Sequence, residues 1–420
     1  MKVVIVSENV SMQMGGEASL GMYYFKLFRS RGVEVLVVCH ARVRNEIQNS
    51  LSKDEAKCFH FVEDIPLQVL VWRIGKLFST RIRDLLFGQL IHGLTMRRIR
   101  RIVLEFSASA GGGDWICFEP SPITPRGVSY MYDLGIPVVI GPLCGGLEFP
   151  PAFQYMDGKF TRMTIHISRR LSEVMNRVIP GKTRANALVV ANTCTARALS
   201  TGCRGKIYEV VESGVDFSIW KPRVDRSVEA GLPIRFVFSG RLVDWKGVSM
   251  LVDAFRFVAD KEEAMLEIIG DGELRSEIEQ KIRDMKVEGK VVLHGWKSRS
   301  EAAEIIQNCD VFVMPSLREC GGTAILEAMA IGLPVVATNW AGPSSYVTEE
   351  SGILVDPLSK EEFVRGLTDA MLCLAKAPAL RKAMGQAGIE RVKTCYFDWD
   401  SKADRMLEIL DETLYEHRQV

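Results

Sequence analysis

Pro315-Ser316-Leu317-Arg318-Glu319-Cys320-Gly321-Gly322-Thr323-Ala324-Ile325-Leu326-Glu327 reads as the end of a strand, a glycine turn and the opening of a helix. The apolar run Val311–Met314 precedes it, and a second such run, Pro334–Thr338, follows one helix later. Apolar runs separated by helices are the pattern of a parallel sheet covered by helices on both faces. Gly321 and Gly322 allow a ligand close to the backbone, and the free N–H groups of a helix start favour an anion such as phosphate. Glu319 falls in the loop and Glu327 one turn into the helix, so two carboxylates eight residues apart border one turn. Each can accept two hydrogen bonds, which suits vicinal hydroxyls on a ribose or a hexose. The alternative is a capped turn with a surface glutamate.

Outward from this segment the same alternation recurs, in two series. Val3–Val6, Val33–Cys39, Trp115–Phe118 and Val138–Ile140 form the first; Arg235–Ser239, Met265–Ile269, Val291–His294, Val311–Met314 and Pro334–Thr338 form the second. Between them, Gly214-Val215-Asp216-Phe217-Ser218-Ile219-Trp220-Lys221-Pro222 and a polar stretch to Pro233 read as an interdomain connection, with the boundary near 214–232. A chain of 420 residues, 47% hydrophobic, accommodates two domains of roughly 200 residues. The expected fold class is therefore α/β, with two doubly wound parallel-sheet domains. Ligands of such sheets bind beyond the carboxyl ends of the strands, so two facing domains make a deep cleft.

The net charge of +1 hides an asymmetry: residues 1–215 hold 27 Lys+Arg against 18 Asp+Glu, and residues 216–420 hold 26 against 34. A positive first half suits an anionic membrane surface or an acidic acceptor, and charge alone does not separate these from nucleic acid. Residues 72–103 mix Leu, Ile and Phe with Arg73, Lys76, Arg81, Arg83, Arg97, Arg98, Arg100 and Arg101; they either lie on an anionic membrane or form a solvated helix covering the first domain. The start Met1-Lys2-Val3-Val4-Ile5-Val6 lacks the order of a signal peptide, and no uncharged run reads as a membrane span, so a cytoplasmic protein is expected. The ten cysteines show no zinc-like spacing, and reduced, mostly buried thiols are expected.

Other strand ends carry glycine turns. Ser7 to Glu17 follows the first strand and ends in Gly15-Gly16, ahead of a helix near Glu17; it is not the G-x-G-x-x-G of dinucleotide dehydrogenases. Gly141-Pro142-Leu143-Cys144-Gly145-Gly146-Leu147-Glu148 follows Val138–Ile140 and either shapes an acceptor pocket or is a structural turn. Gly270-Asp271-Gly272 and Gly295-Trp296 either line a nucleotide base or are turns. Gly240-Arg241-Leu242-Val243-Asp244-Trp245-Lys246-Gly247 places two cations five residues apart in a loop after a strand. Asp398-Trp399-Asp400 has D-x-D metal spacing, but it precedes an amphipathic helix, where acidic residues cap the N-terminus, so no metal site is expected.

The segment from Glu319 to Glu327, continued by Ala328-Met329-Ala330-Ile331-Gly332-Leu333-Pro334-Val335-Val336-Ala337-Thr338, resembles the E-x7-E region of glycosyltransferase family 4, and the order of motifs follows that family over nearly the whole chain. The resemblance implies the GT-B fold: Rossmann-like domains at 1–214 (acceptor side) and 215–395 (donor side), facing an interdomain cleft, with a helix at 396–420 crossing back. It also implies retaining, metal-independent transfer of a hexosyl group from a nucleotide-diphosphate sugar, with no other cofactor. In that reading Glu319 contacts the transferred sugar, Glu327 the ribose hydroxyls, and Gly321, Gly322 and Thr323 the diphosphate. Arg241 and Lys246 match the family's cation pair and stabilise the departing diphosphate. Gly15 and Gly16 match its glycine-rich first loop. Many members carry a histidine after the strand that here ends Phe118-Glu119-Pro120; Glu119 either takes its place at the hydroxyls or is a buried structural carboxylate. A glycan or lipid-linked acceptor is expected, and no nucleic acid. The rivals are a catalytically silent nucleotide-sugar-binding partner of another transferase and a nucleotide-sugar epimerase.

Overall fold

The computed structural model describes residues 1–78, 83–109, 114–223 and 232–419. Seven strands form one sheet: β1 (Lys2–Val6), β2 (Glu34–His40), β3 (Phe59–Val62), β4 (Trp115–Glu119), β5 (Val138–Leu143), β6 (Ala187–Val190) and β7 (Lys206–Glu209). Six form the other: β8 (Ile234–Ser239), β9 (Ala264–Ile269), β10 (Val291–Gly295), β11 (Val311–Met314), β12 (Val335–Thr338) and β13 (Gly352–Val355). Each pairing is parallel, as in Val3↔Val35 and Val3↔Ile116 in the first sheet and Phe312↔Val335 in the second. The orders are β3-β2-β1-β4-β5-β6-β7 and β10-β9-β8-β11-β12-β13. Both are Rossmann-like, and each reverses direction once, between β1 and β4 and between β8 and β11.

The central strands β4, β5, β11 and β12 are buried along their whole length, as expected of strands covered by helices on both faces. The sequence series omits β3, β6, β7 and β13. Three of these are sheet edges, and all four are only four residues long. In β7 only Tyr208 is buried, so its sequence carries no apolar run. After β1 the chain makes a single 3-10 turn, Gly16–Ser19, and the α-helix starts at Leu20 rather than at Glu17. All ten cysteines are free; Cys39, Cys117 and Cys309 are buried, whereas Cys373 is exposed and the other six are half-buried, so the expectation of mostly buried thiols holds for three of the ten.

Two compact units divide the chain. One comprises Met1–Gly146, Thr164–Glu212 and Ala403–Val420; the other comprises Leu147–Met163 and Ser213–Lys402. The division at 214 read from the sequence puts Leu147–Met163 in the first domain, but its side chains pack elsewhere. Trp340 donates its indole N–H to the Glu148 carbonyl at 2.9 Å, Arg318 lies over the Phe149 ring, and Phe153 meets the edge of Phe363 at 6.1 Å. The helix Trp399–Arg418 is shared as well. Its start is held to the second unit by Val215 N–H to Phe397 C=O and Trp399 N–H to Val215 C=O. From Ala403 onward it belongs to the first unit, through ion pairs of Arg31 with Asp404, Lys206 with Glu412 and Arg418 with Asp114. Asp398 accepts from the backbone N–H groups of Asp400 and Ser401 and so caps this helix. Among the described residues no helix is long and apolar enough to cross a membrane.

Candidate active site

In a doubly wound sheet the loops on either side of the order reversal diverge and leave a crevice at the strand ends. In the second unit these loops follow β8 and β11, and they are locked together. Leu317 N–H donates to the Trp245 carbonyl at 2.8 Å. Gly247 has φ +71°, and a Cβ there would stand 2.2 Å from the Pro315 carbonyl oxygen, so only glycine lets the loops meet. Lys246, at the end of the turn Asp244–Lys246, forms an ion pair with Glu319, and both side chains are largely shielded. Arg241 is exposed and makes no side-chain hydrogen bond or ion pair among the described residues. The far side of the Glu319 loop is pinned by Gly342 N–H to the Glu319 carbonyl at 3.0 Å and by the Tyr346 hydroxyl to the Cys320 carbonyl.

The helix Thr323–Ile331 begins where the sequence places it, after Gly322 in the left-handed region. Gly321 is buried, and the Thr323 hydroxyl donates to Ser213 Oγ at 2.9 Å. Glu327 sits one turn in, its side chain 12% exposed and 3.4 Å from the Arg299 guanidinium. Burial pushes its carboxyl up to about 7, against the opposing pull of Arg299. The turns after β8, β9 and β10 pack on one another: Gly240 N–H donates to Ile269 C=O and Gly270 N–H to Gly295 C=O. Gly295 has φ +68°, and Trp296 beside it is 75% exposed. The second unit thus gathers Arg241, Lys246, Glu319, Gly321 and Gly322 on two interlocked loops, and Thr323 and Glu327 on the opening of the helix that follows, with an exposed indole at a neighbouring strand end. Chemically this is a place for a polyanion between cations and a helix start, with carboxylates available to hydroxyls.

The corresponding reversal in the first unit borders a cavity of about 590 Å³. Ser7 Oγ at the end of β1 and Ser121 Oγ past the end of β4 are 2.7 Å apart. Glu8, Arg42, Asp64, His92 and Ser121 line the cavity. Glu8 pairs with His92 Nδ1 and, at 3.1 Å, with Arg42. Burial works to raise the Glu8 carboxyl, but His92 and Arg42 together hold it below the usual carboxylate value. His40 Nδ1 accepts from Arg42 N–H at 3.0 Å, so Nε2 carries the proton and donates to Asp64. Sequence reasoning missed Glu8 and His92. Glu8 is the second residue past β1 at the order reversal, the one signal that would have found it, whereas His92 lies inside the segment read for its arginines.

The first-half glycines and Glu119 are placed differently. Gly15 and Gly16 have positive φ and open space around them, but the cavity is lined by their neighbours Glu17 and Ala18. Gly145 and Gly146 do not line it; a Cβ on Gly146 would meet the Ala198 methyl at 2.1 Å, so close packing accounts for that glycine. Glu119 is 1% exposed, accepts from the Ser129 hydroxyl, and is raised to about 7 by burial, which Ser129 and the buried Lys182 only partly offset. This geometry favours the structural carboxylate of the two alternatives, and the imidazole near the first-unit strand ends comes from His92 instead. In 72–103, Arg98 donates to the Glu63 carbonyl, Arg100 donates to the Tyr132 carbonyl and lies over its ring, and Arg97 lies over Tyr130. These three cations are held by the protein itself.

Comparison with known proteins bears on both units. Residues 225–391 match the family described as glycosyl transferases group 1. Over 172 residues the chain is 32% identical to the lipopolysaccharide core biosynthesis glycosyltransferase LpsE of Rhizobium meliloti, covering 41% of this chain and 48% of the relative. Over 209 residues it is 28% identical to the UDP-Gal:alpha-D-GlcNAc-diphosphoundecaprenol alpha-1,3-galactosyltransferase of Escherichia coli, covering 45% and 54%. The chain thus spans about half the length of these curated relatives. The crystal structure of a glycosyltransferase from Rickettsia africae superimposes with a TM-score of 0.62 over 98% of each chain at 14% identity, a likeness of fold. The second unit therefore carries the glycosyl transferases group 1 region, in a chain whose two Rossmann-like domains have the GT-B fold.

Proposed function

We propose that the chain is a retaining, family 4 type hexosyltransferase that uses a nucleotide-diphosphate sugar and a hydroxyl acceptor on a lipid-linked or cell-surface glycan precursor. The observation that carries the reading is the Lys246–Glu319 ion pair on the same loop as Arg241, which has no side-chain partner among the described residues, at the order reversal of the second sheet. In the unliganded protein Lys246 neutralises Glu319. When a donor binds, its diphosphate competes for Lys246, and Glu319 becomes available to the hydroxyls of the sugar. Arg241 and Lys246 then stabilise the charge that grows on the diphosphate as the bond from the anomeric carbon to its oxygen breaks. The acceptor oxygen forms its bond on the same face, and its proton passes to the departing phosphate oxygen. Glu327 binds the ribose hydroxyls, and the reading requires no metal, because the two cations supply the positive charge.

The acceptor class is supported by the E. coli relative, whose name specifies a diphosphoundecaprenol-linked sugar, and the Rhizobium relative, whose name specifies lipopolysaccharide core. In this reading the protein works in the cytoplasm at a membrane surface, and 72–103 contributes through exposed Trp72, Ile74, Leu77, Arg73 and Lys76 rather than through Arg97, Arg98 and Arg100. The test is release of nucleotide diphosphate from a panel of UDP-, GDP- and ADP-sugars in EDTA, with membrane extract as acceptor. Release from one donor, with the anomeric configuration kept in the product, is the expected result. Donor binding without release identifies a silent partner, and donor conversion without an acceptor identifies an epimerase; either refutes the proposal.

A further inference from the structure

The helix Lys159–Val178 is built the opposite way round from a helix that covers a core. Met163, Ile167, Leu171, Val174 and Val178 share one face at about 3.6 residues per turn, and they are 53%, 59%, 60%, 53% and 71% exposed. The opposite face binds the protein through polar groups. Asn176 donates to the Arg126 carbonyl at 3.1 Å, Ser172 donates to the same oxygen, and Glu173 accepts from the hydroxyl of Thr201 at 2.7 Å. A helix of a globular protein normally turns its apolar stripe to the core; here hydrogen bonds hold the polar side down and the stripe faces out.

The charges beside the stripe select its occupant. The helix holds Lys159, Arg162, Arg169, Arg170 and Arg177 against Glu173 alone, and Glu173 is committed to Thr201 and Arg126. Arg170 and Arg177 are exposed and lie along one edge of the stripe, close enough to meet negative charge while the stripe is covered. An apolar face edged by arginines matches the boundary between acyl chains and anionic headgroups. Residues 1–215, which include the helix, also hold the sequence's excess of positive charge.

We infer that the helix Lys159–Val178 docks the protein on an anionic lipid bilayer, lying in the membrane plane with Ile167 and Leu171 immersed and Arg170 and Arg177 on the headgroups. This surface is separate from 72–103 and stands whether or not the donor chemistry is as proposed. The test is co-sedimentation of the full chain with phosphatidylcholine vesicles, with and without phosphatidylglycerol. The wild type is expected to bind the mixed vesicles and to be released by salt. Ile167→Asp and Leu171→Asp each weaken binding about tenfold or more, the loss expected for one large apolar side chain. Arg170→Gln with Arg177→Gln abolishes the preference for phosphatidylglycerol. Circular dichroism and thermal unfolding of each variant establish that it folds as the wild type does. The inference is overturned if the wild type ignores both vesicle types, if Arg73→Gln with Lys76→Gln abolishes binding while the helix variants bind normally, or if light scattering shows a dimer that Leu171→Asp dissociates and vesicles do not bind.

Discussion

Glu327→Gln offers a direct reading of how deeply the candidate donor site is buried. The amide keeps the shape of the carboxyl but has no proton to lose. In the folded protein burial raises Glu327 from 4.5 to about 7, so the folded state holds a proton that the unfolded chain has already released. The stabilisation is present in full below the unfolded value and is lost as pH rises through about 7. From pH 5.5 to 8, at about 1.4 kcal/mol per pH unit over the 1.5 units still to titrate, the wild type should lose about 2 kcal/mol relative to Glu327→Gln. For a unit of this size that is about 4–8 °C in the difference between their Tm values, read by thermal unfolding at the two pH values. Donor binding supplies a second reading. If the ionised carboxylate takes the ribose hydroxyls, about 3% of the wild type is competent at pH 5.5, and UDP-sugar affinity should rise about thirty-fold by pH 8 while that of the variant stays flat. A Tm difference that does not change with pH would show that the carboxyl titrates in the ordinary range and would refute the burial argument.

Further outcomes follow from the same loops. Lys246→Ala should lower kcat by about 10²–10³ without unfolding the protein, and adding Glu319→Ala should cost much less than the product of the single effects, because each variant already breaks the same ion pair; steady-state kinetics of the double-mutant cycle checks this. Gly247→Ala forces a side chain into the Pro315 carbonyl at positive φ and should cost about 1–3 kcal/mol, seen as a lower Tm together with lost turnover; an unchanged Tm would show that the two loops are not locked there. Trp340→Phe removes the hydrogen bond to the Glu148 carbonyl and should cost about 1 kcal/mol, with faster proteolysis within 147–163 as the readout.

The doubly wound fold was legible because its central strands are buried on both faces, so β4, β5, β11 and β12 are almost wholly apolar, with Glu119 and Thr338 at strand ends as their polar residues. Edge strands escape this constraint, so β3 and β7 carry polar residues and read as loops. The glycine turn at 321–322 and the cation loop at 240–247 were legible for a related reason. A loop that must approach its neighbour or a ligand closely needs glycine at fixed places, and Gly247 and Gly322 occupy them. What the sequence left hidden depends on long-range placement. Glu8, Arg42 and His92 meet only because the sheet order sets β1 beside β2 and β4, and nothing local marks them as partners. Glu119 stayed open for the converse reason. A carboxylate at a strand end suits a hydroxyl-binding or a buried structural role alike, and only the placement of Ser129 and Lys182 beside it favours the second. The arginines of 72–103 likewise read as a surface, whereas Arg97, Arg98 and Arg100 are held by tyrosine rings and carbonyls.

The shared helix Trp399–Arg418 sets an order of assembly during synthesis. Met406, Ile409, Leu410 and Leu414 are buried, and they lie in the part of the helix that belongs to the first unit. That unit is begun first on the ribosome, yet its core is completed by residues made after the whole of the second unit. The second unit needs the chain only to Lys402. The later-made half can therefore close first, while the earlier half waits with an apolar groove open, a stage at which a nascent chain is exposed to aggregation and to chaperones.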